Sequence, residues 1–263
     1  VMTVVDGAMD ALDRVAQVVL RLGDRVVVEH PSFPPLLDLL EQLACDVAGI
    51  DVDDDGPRPE QLRAALADGP VRAVFIQPRA QNPAGSSLTP SRARALADVL
   101  VTSDAVVVED DHANEISSTP LVSVGRWLPA RTVHVRSFSK SHGPDLRLAA
   151  VGGAGEVVAA VANRRLLGPG WSSRILQAVL LELLRDPATP GVLQAAATTY
   201  SRRRSIVSEV LAQAGVDMAG RDGINAWIAV GDERSTTMSL ATRGIGVAPG
   251  TPFLVRPAPS PQD

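Results

Sequence analysis

Apolar residues in the first 184 positions fall in short, valine-rich runs separated by amphipathic stretches. The runs at 1–5, 25–29, 46–52, 73–77, 105–108, 132–135 and 148–152 have the length and β-branched content of buried strands. Between them, apolar residues recur every three or four positions and predict helices at 36–43, 59–66, 91–101, 156–166 and 175–184. A further helix opens after Asp6-Gly7-Ala8, with Leu12, Val15, Val19 and Leu22 on its apolar face. This alternation implies an α/β fold built on a mostly parallel sheet covered on both faces. Beyond Asp186-Pro187 the pattern changes to a long helix from about 190 to 214, then strands at 224–230 and 247–248 around a helix at 236–243. That tail reads as a bridging helix and part of a small α+β domain (187–263), attached to a large domain (1–186). Residues 257–263 are proline-rich and predict a loose end.

Composition narrows the class. A chain of 263 residues with 45% hydrophobic content can bury a substantial core. Its apolar runs stay far below the ~20 residues of a membrane-spanning helix, and the N-terminus lacks the pattern of a signal peptide, so a cytoplasmic location is expected. Cys45 is the single cysteine, which excludes an intramolecular disulfide and suits a small apolar filler at a helix end. A net charge of −5 argues against this chain gripping nucleic acid by itself, so any DNA contact must come from elsewhere. Asp53-Asp54-Asp55-Gly56 lacks the spacing of a calcium loop and reads as a solvated turn, and Arg202-Arg203-Arg204 reads as a solvated helix face.

The chemistry concentrates where strands end. Lys140 sits among small hydroxyl residues, after an apolar run and before a Gly/Pro loop, at the edge where open α/β sheets place ligands. It is either a Schiff-base lysine, kept partly neutral by desolvation and by cations such as Arg147, or a loop lysine beside a turn. Gly7 before a helix start makes an anion site from free N–H groups and the helix dipole, or an ordinary Asp-Gly turn. Phe33 closes a strand in a chain with only 3% aromatics, placed for stacking or for the core.

The window Arg136-Ser137-Phe138-Ser139-Lys140-Ser141-His142-Gly143-Pro144-Asp145-Leu146-Arg147-Leu148-Ala149 resembles the lysine segment of the class I/II aminotransferases, the fold-type I enzymes that use pyridoxal 5′-phosphate (PLP). With Gly168-Pro169-Gly170-Trp171 it is most similar to the aminotransferase-like half of MocR-type regulators in the GntR class, above all the PtsJ-like branch, and the resemblance spans nearly the whole chain. It implies that Lys140 forms the internal aldimine and serves as acid and base in a proton shift. Gly7, Ala8, Met9, Ser137, Ser139 and Arg147 bind the cofactor on this reading, and Phe33 stacks on the ring. The Asn-Pro-x-Gly turn makes Asn82 the donor to the phenolate oxygen, where a plain Asn-Pro turn is the alternative. Asp110 becomes the carboxylate that faces the pyridine nitrogen. At ~4 Å and an effective dielectric near 20 such a pair is worth ~4 kcal/mol, roughly three units of ring basicity. The family usually carries a tyrosine just after this aspartate. His112 stands there instead, either donating to the phenolate with a pH-dependent strength or satisfied by backbone.

The resemblance also implies a homodimer, in which the loop 168–173 brings Trp171 and Ser172 to the partner's site. Two functions follow: the effector-sensing part of a MocR-type regulator, responding to PLP or a small amino compound and reaching DNA through a separate winged-helix domain absent from this chain, or a free-standing aminotransferase. A third reading is a relic without cofactor. The chain is further expected to be an incomplete version of its domain, binding PLP weakly and lacking the arginine that clamps a substrate carboxylate, since Arg256, the nearest candidate, sits too early in the chain.

Overall fold

The computed structural model describes residues 1–257. Strand β1 (Met2–Val5) leads into helix α1 (Ala8–Val19), followed by β2 (Arg25–His30), α2 (Pro34–Gln42), β3 (Asp46–Asp53), the short β4 (Gly56–Pro57), α3 (Pro59–Ala67) and β5 (Val71–Ile76). Then come α4 (Pro90–Leu100), β6 (Val106–Asp111), β7 (Thr132–Ser137), β8 (Ala149–Gly153), α5 (Gly155–Arg165) and α6 (Arg174–Arg185). Eight strands form one sheet in the order β1-β8-β7-β6-β5-β2-β3-β4. The central strands β3, β2, β5, β6 and β7 are parallel, while β4, β8 and β1 add antiparallel edges. The predicted α/β class is therefore met.

Val26, Val27 and Val28 are all fully buried because both sheet faces are covered. Val26 and Val28 pack with Leu12, Val15 and Phe75 under α1, and Val27 packs with Leu62, Leu96 and Val107 under α3 and α4. Each such side chain contributes roughly 1.5–3 kcal/mol of burial, which explains why a continuous valine run, rather than an alternating one, marks these strands. Leu22 departs from expectation: α1 stops at Val19, and Leu22 lies in the following turn, exposed.

Strand order reverses between β2 and β5. From β2 the chain moves outward to β3, and from β5 it moves the other way to β6 and β7. The crevice at the carboxyl ends of these strands is the switch point where open sheets bind ligands.

The C-terminal part holds α7 (Thr189–Gln213), β9 (Met218–Ala219), β10 (Trp227–Ile228) and α8 (Glu233–Ala241). Its small sheet differs from the sequence pattern: β9 pairs with β10, and 247–248 form no strand. Its loop 220–223 docks on the Asn82 turn, where the backbone N–H groups of Arg221 and Asp222 donate to Gly85 O at 3.0 and 3.1 Å. Buried Asp222 accepts from Ser117 Oγ, from Ser118 N at 3.0 Å and from Thr119 N at 3.3 Å. Arg204 belongs to this contact, donating to the carbonyls of Asn225 and Ala219. The solvated face expected for the arginine triplet is thus wrong at Arg204. Of the predicted loose end only Pro257 lies inside the described residues.

Candidate cofactor site at the carboxyl ends of the strands

Strand β6 delivers three consecutive acids, and the tertiary structure gives each a different fate. Fully buried Glu109 accepts from Val124 N and Ser123 Oγ, both at 2.7 Å, and its Oε2 lies 3.0 Å from His134 Nδ1. Asp111, also fully buried, is held bidentately by Arg79 at 2.8 and 2.7 Å. Among the described residues Asp110 accepts only from Gln77 Nε2, at 2.9 Å on Oδ2, and its Oδ1 is buried without a partner. Burial pushes the Asp110 carboxyl above the usual aspartate range, against the opposing pull of His112 and the Gln77 hydrogen bond. A buried carboxylate with a vacant lone pair is costly unless a cation or donor completes it. Asp110 faces a small pocket shared with Phe33, Leu12 and Phe75. Phe33, half-buried, is the residue before α2.

Gln77 ties this floor together. Its Oε1 accepts from Asn82 N at 2.7 Å while its Nε2 holds Asp110. The Asn82 side-chain amide makes no hydrogen bond among the described residues. His112 Nε2 lies 2.9 Å from Ala80 O, so one ring nitrogen is satisfied by backbone, the alternative weighed for it from sequence.

A second cluster forms where α1 begins. Gly7, at φ 101°, precedes the helix without any side-chain cap. The N–H groups of Ala8 and Met9 lie in the first turn, where helices leave donors for an anion. A Cβ placed on Gly7 would sit 3.0 Å from Arg147 Nη2, so the guanidinium lies directly over the helix start. Arg147 achieves this from the left-handed region, at φ 46°. Buried Ser137 ends β7, and its Oγ accepts from Ser139 N at 3.4 Å. Lys140 lies in the turn three residues beyond β7 and is exposed. The desolvation anticipated for its amine is therefore not supplied by this chain's own packing.

Sequence reasoning missed Asn114. Fully buried at φ 53°, it donates through Nδ2 to Ser137 O at 2.8 Å and Ser141 Oγ at 3.3 Å, and its Oδ1 accepts from Arg136 Nε at 3.1 Å. It thereby fixes the lysine turn from both sides. Asparagine's tolerance of the left-handed region was the available signal. Gln77 and Glu29 were missed too, since neither stands in a recognisable motif.

An anion cup, an aromatic, a carboxylate with a free oxygen and a lysine in the neighbouring turn match a phosphorylated pyridine aldehyde. The sequence profile of aminotransferase class I and II matches residues 2–261. The chain belongs to this family. It is 36% identical over 98% of its length to the vitamin B6 salvage pathway transcriptional repressor PtsJ of Salmonella typhimurium, and 32% identical over 94% to the HTH-type transcriptional regulator TauR of Rhodobacter capsulatus. It spans 60% and 52% of those proteins. Aspartate aminotransferase from Thermus thermophilus, solved with maleate, superposes with a TM-score of 0.89 at 25% identity, covering 96% of this chain and 68% of that one. Kynurenine aminotransferase of Pyrococcus horikoshii shares the fold, with a TM-score of 0.88 at 23% identity over 96% of this chain and 66% of its own. The cofactor of this aminotransferase class I/II chain is pyridoxal phosphate, in the fold-type I architecture.

Two residues weighed in family-based expectations have partners within this chain. Ser172 is buried, holding Arg165 at 3.0 Å, so it faces its own subunit's interior, whereas Trp171 is exposed. Arg256 pairs with Asp51 and donates to Gly49 O at 3.0 Å, which occupies it on β3 rather than as a carboxylate clamp. Among the described residues no helix is long and apolar enough to cross a membrane.

Proposed function

We propose that this chain is the effector-sensing, PLP-binding part of a MocR-type transcriptional regulator, acting as a homodimer in the cytoplasm. The large domain is 1–186, and 187–263 form a bridging helix and part of the small domain. The observation that carries the cofactor site is the single free oxygen of Asp110 beside Phe33; the regulator assignment rests on the similarity to PtsJ and TauR over nearly all of this chain. DNA is reached through a separate winged-helix domain, and the effector is PLP or a small amino compound.

PLP supplies an electrophilic carbonyl and a ring that accepts electron density. Gly7, Ala8 and Met9 offer backbone N–H groups to its phosphate, with Arg147, Ser137 and Ser139 completing the cup. Phe33 would pack on the ring, and the Asn82 side-chain amide, which has no partner among the described residues, would donate to the phenolate oxygen. Asp110, when ionised, would favour a proton on the pyridine nitrogen. His112, bonded to Ala80 O, orients the loop behind Asp110. Lys140 would hold the cofactor covalently, and its amino group, when free, would be the acid and base placed to accept or give up a proton beside the ring.

The alternative is a free-standing aminotransferase. It is favoured by similarity to enzymes such as aromatic-amino-acid aminotransferase 1 of Thermococcus litoralis, 28% identical over 54% of this chain. Borohydride reduction of the PLP-loaded protein followed by peptide mass mapping tests the shared core: the adduct belongs on Lys140, and an adduct confined to other lysines overturns the assignment. Incubation with amino donors separates the two functions, since sustained turnover to a 2-oxo acid selects the enzyme.

A further inference from the structure

We propose that Glu29 is a positioning residue for the cofactor ring, acting through Gln77 on Asp110 and Asn82. The inference rests on the cofactor reading above and extends it to a residue outside the family's motif positions. Glu29 is the penultimate residue of β2 and Gln77 follows β5, so the pair straddles the point where strand order reverses. Glu29 is 3% exposed. Its Oε2 accepts from Gln77 N at 3.0 Å, and its Oε1 is buried with no hydrogen-bond partner among the described residues. Gln77 in turn holds Asp110 Oδ2 with one end of its amide and Asn82 N with the other. The amide therefore has one orientation available, because reversing it would set oxygen against oxygen and nitrogen against N–H. Anchoring the Gln77 backbone on Glu29 sets the height at which that amide meets both ring contacts.

Glu29 and Asp110 line the same pocket, each with one unpartnered buried oxygen. Burial pushes the Glu29 carboxyl up to about 8, opposed by Gln77 and Gln81 and reinforced by Asp110. Of these groups Gln77 and Gln81 are neutral amides, and Asp110 from β6 is the titratable one; His112, Asp111 and His134 act on Asp110 in turn. A second buried carboxyl that keeps its proton near neutrality adds no charge of its own beside Asp110 until the ring is bound. Placing a protonated pyridine there favours the ionised forms of both acids, so ring binding draws a proton from Glu29.

The test uses 4′-deoxypyridoxine 5′-phosphate, which carries ring and phosphate but has no aldehyde for Lys140. Calorimetric titration at pH 7.5 in two buffers of different ionisation enthalpy counts the protons exchanged on binding. Wild type should release more protons, or take up fewer, than Glu29→Gln, a neutral isostere that leaves packing in place. Gln77→Ala should weaken ring binding about tenfold, in line with removing a buried hydrogen bond to a charged group, and adding Glu29→Gln to it should cost less than in the wild-type background. Glu29→Asp, which keeps the acid but withdraws it from Gln77 N, should weaken binding while retaining the proton exchange. Equal proton counts in wild type and Glu29→Gln, or additive losses with Gln77→Ala, overturn the role of Glu29 while leaving the cofactor site standing. Failure of wild type to bind the probe at all overturns both.

Discussion

The floor of the site and its rim are built in opposite ways. The floor, comprising Glu29, Gln77 and Asp110, comes from the ends of adjacent strands, is buried, and is locked by hydrogen bonds of 2.9 to 3.0 Å. The rim, comprising Gly7, Lys140 and Arg147, comes from turns. Lys140 and Arg147 are exposed, and Gly7 and Arg147 have positive φ. On the proposed reading, the groups assigned to the ring are therefore preorganised in the sheet, whereas the lysine and the groups assigned to the phosphate sit in turns. That division suits a sensor or an enzyme alike: the part that tunes the ring must not move, and the lysine must leave when an amine replaces it.

The contrast can be broken most decisively at the rim. Lys140→Ala should abolish covalent attachment, read by mass after borohydride reduction, while 4′-deoxypyridoxine 5′-phosphate still binds on the floor; loss of both together would show that floor and rim are one unit. Asp110→Asn comes next. Removing an interaction of ~4 kcal/mol should slow the half-reaction with an amino donor about a thousandfold. In cofactor labelled with nitrogen-15 the ring resonance should move to the unprotonated range, a readout that holds even where the wild type is a pure sensor. An unchanged resonance would remove Asp110 from the ring.

Gly7→Ala should act more mildly. A side chain at φ 101° beside Arg147 costs roughly 1–2 kcal/mol, seen as about tenfold weaker PLP affinity, and tight binding by this variant would place the phosphate elsewhere. The smallest effect is the pH dependence of the protein without cofactor. An ordinary glutamate titrates near 4.5 in the unfolded chain and Glu29 near 8 in the folded one, so the folded state holds the proton more tightly. The stability this contributes is complete below about 4.5 and is lost as pH rises through about 8. Between pH 6 and 9 the wild-type melting temperature should therefore fall relative to Glu29→Gln, and parallel curves would contradict the buried neutral acid.

Much of this was legible in the chain itself. The valine runs fixed the central strands because full burial on both faces demands apolar residues at every position, and the hydroxyl-rich lysine window with Arg147 seven residues on carried the cofactor assignment. Local pattern was weakest where packing is thin. In the C-terminal part the 224–230 strand shrinks to Trp227–Ile228, and α8 has no buried residue, so little hydrophobic signal existed to read.

Other features were decided by the tertiary structure alone. The sequence offers Glu109, Asp110 and Asp111 as equals, since three adjacent carboxylates have the same local chemistry, and only the family's spacing singled out Asp110. Folding distinguishes them by bringing His134 and Ser123 to Glu109 and Arg79 to Asp111, partners 14 to 32 residues away in the chain. Arg204, Arg256 and Ser172 were likewise drawn into contacts with remote backbone or side chains. Glu29, Gln77 and Asn114 gained their roles the same way. Periodicity reports which face of an element is buried; which polar groups are satisfied there depends on pairings across the sheet, and those exist only once the chain has folded.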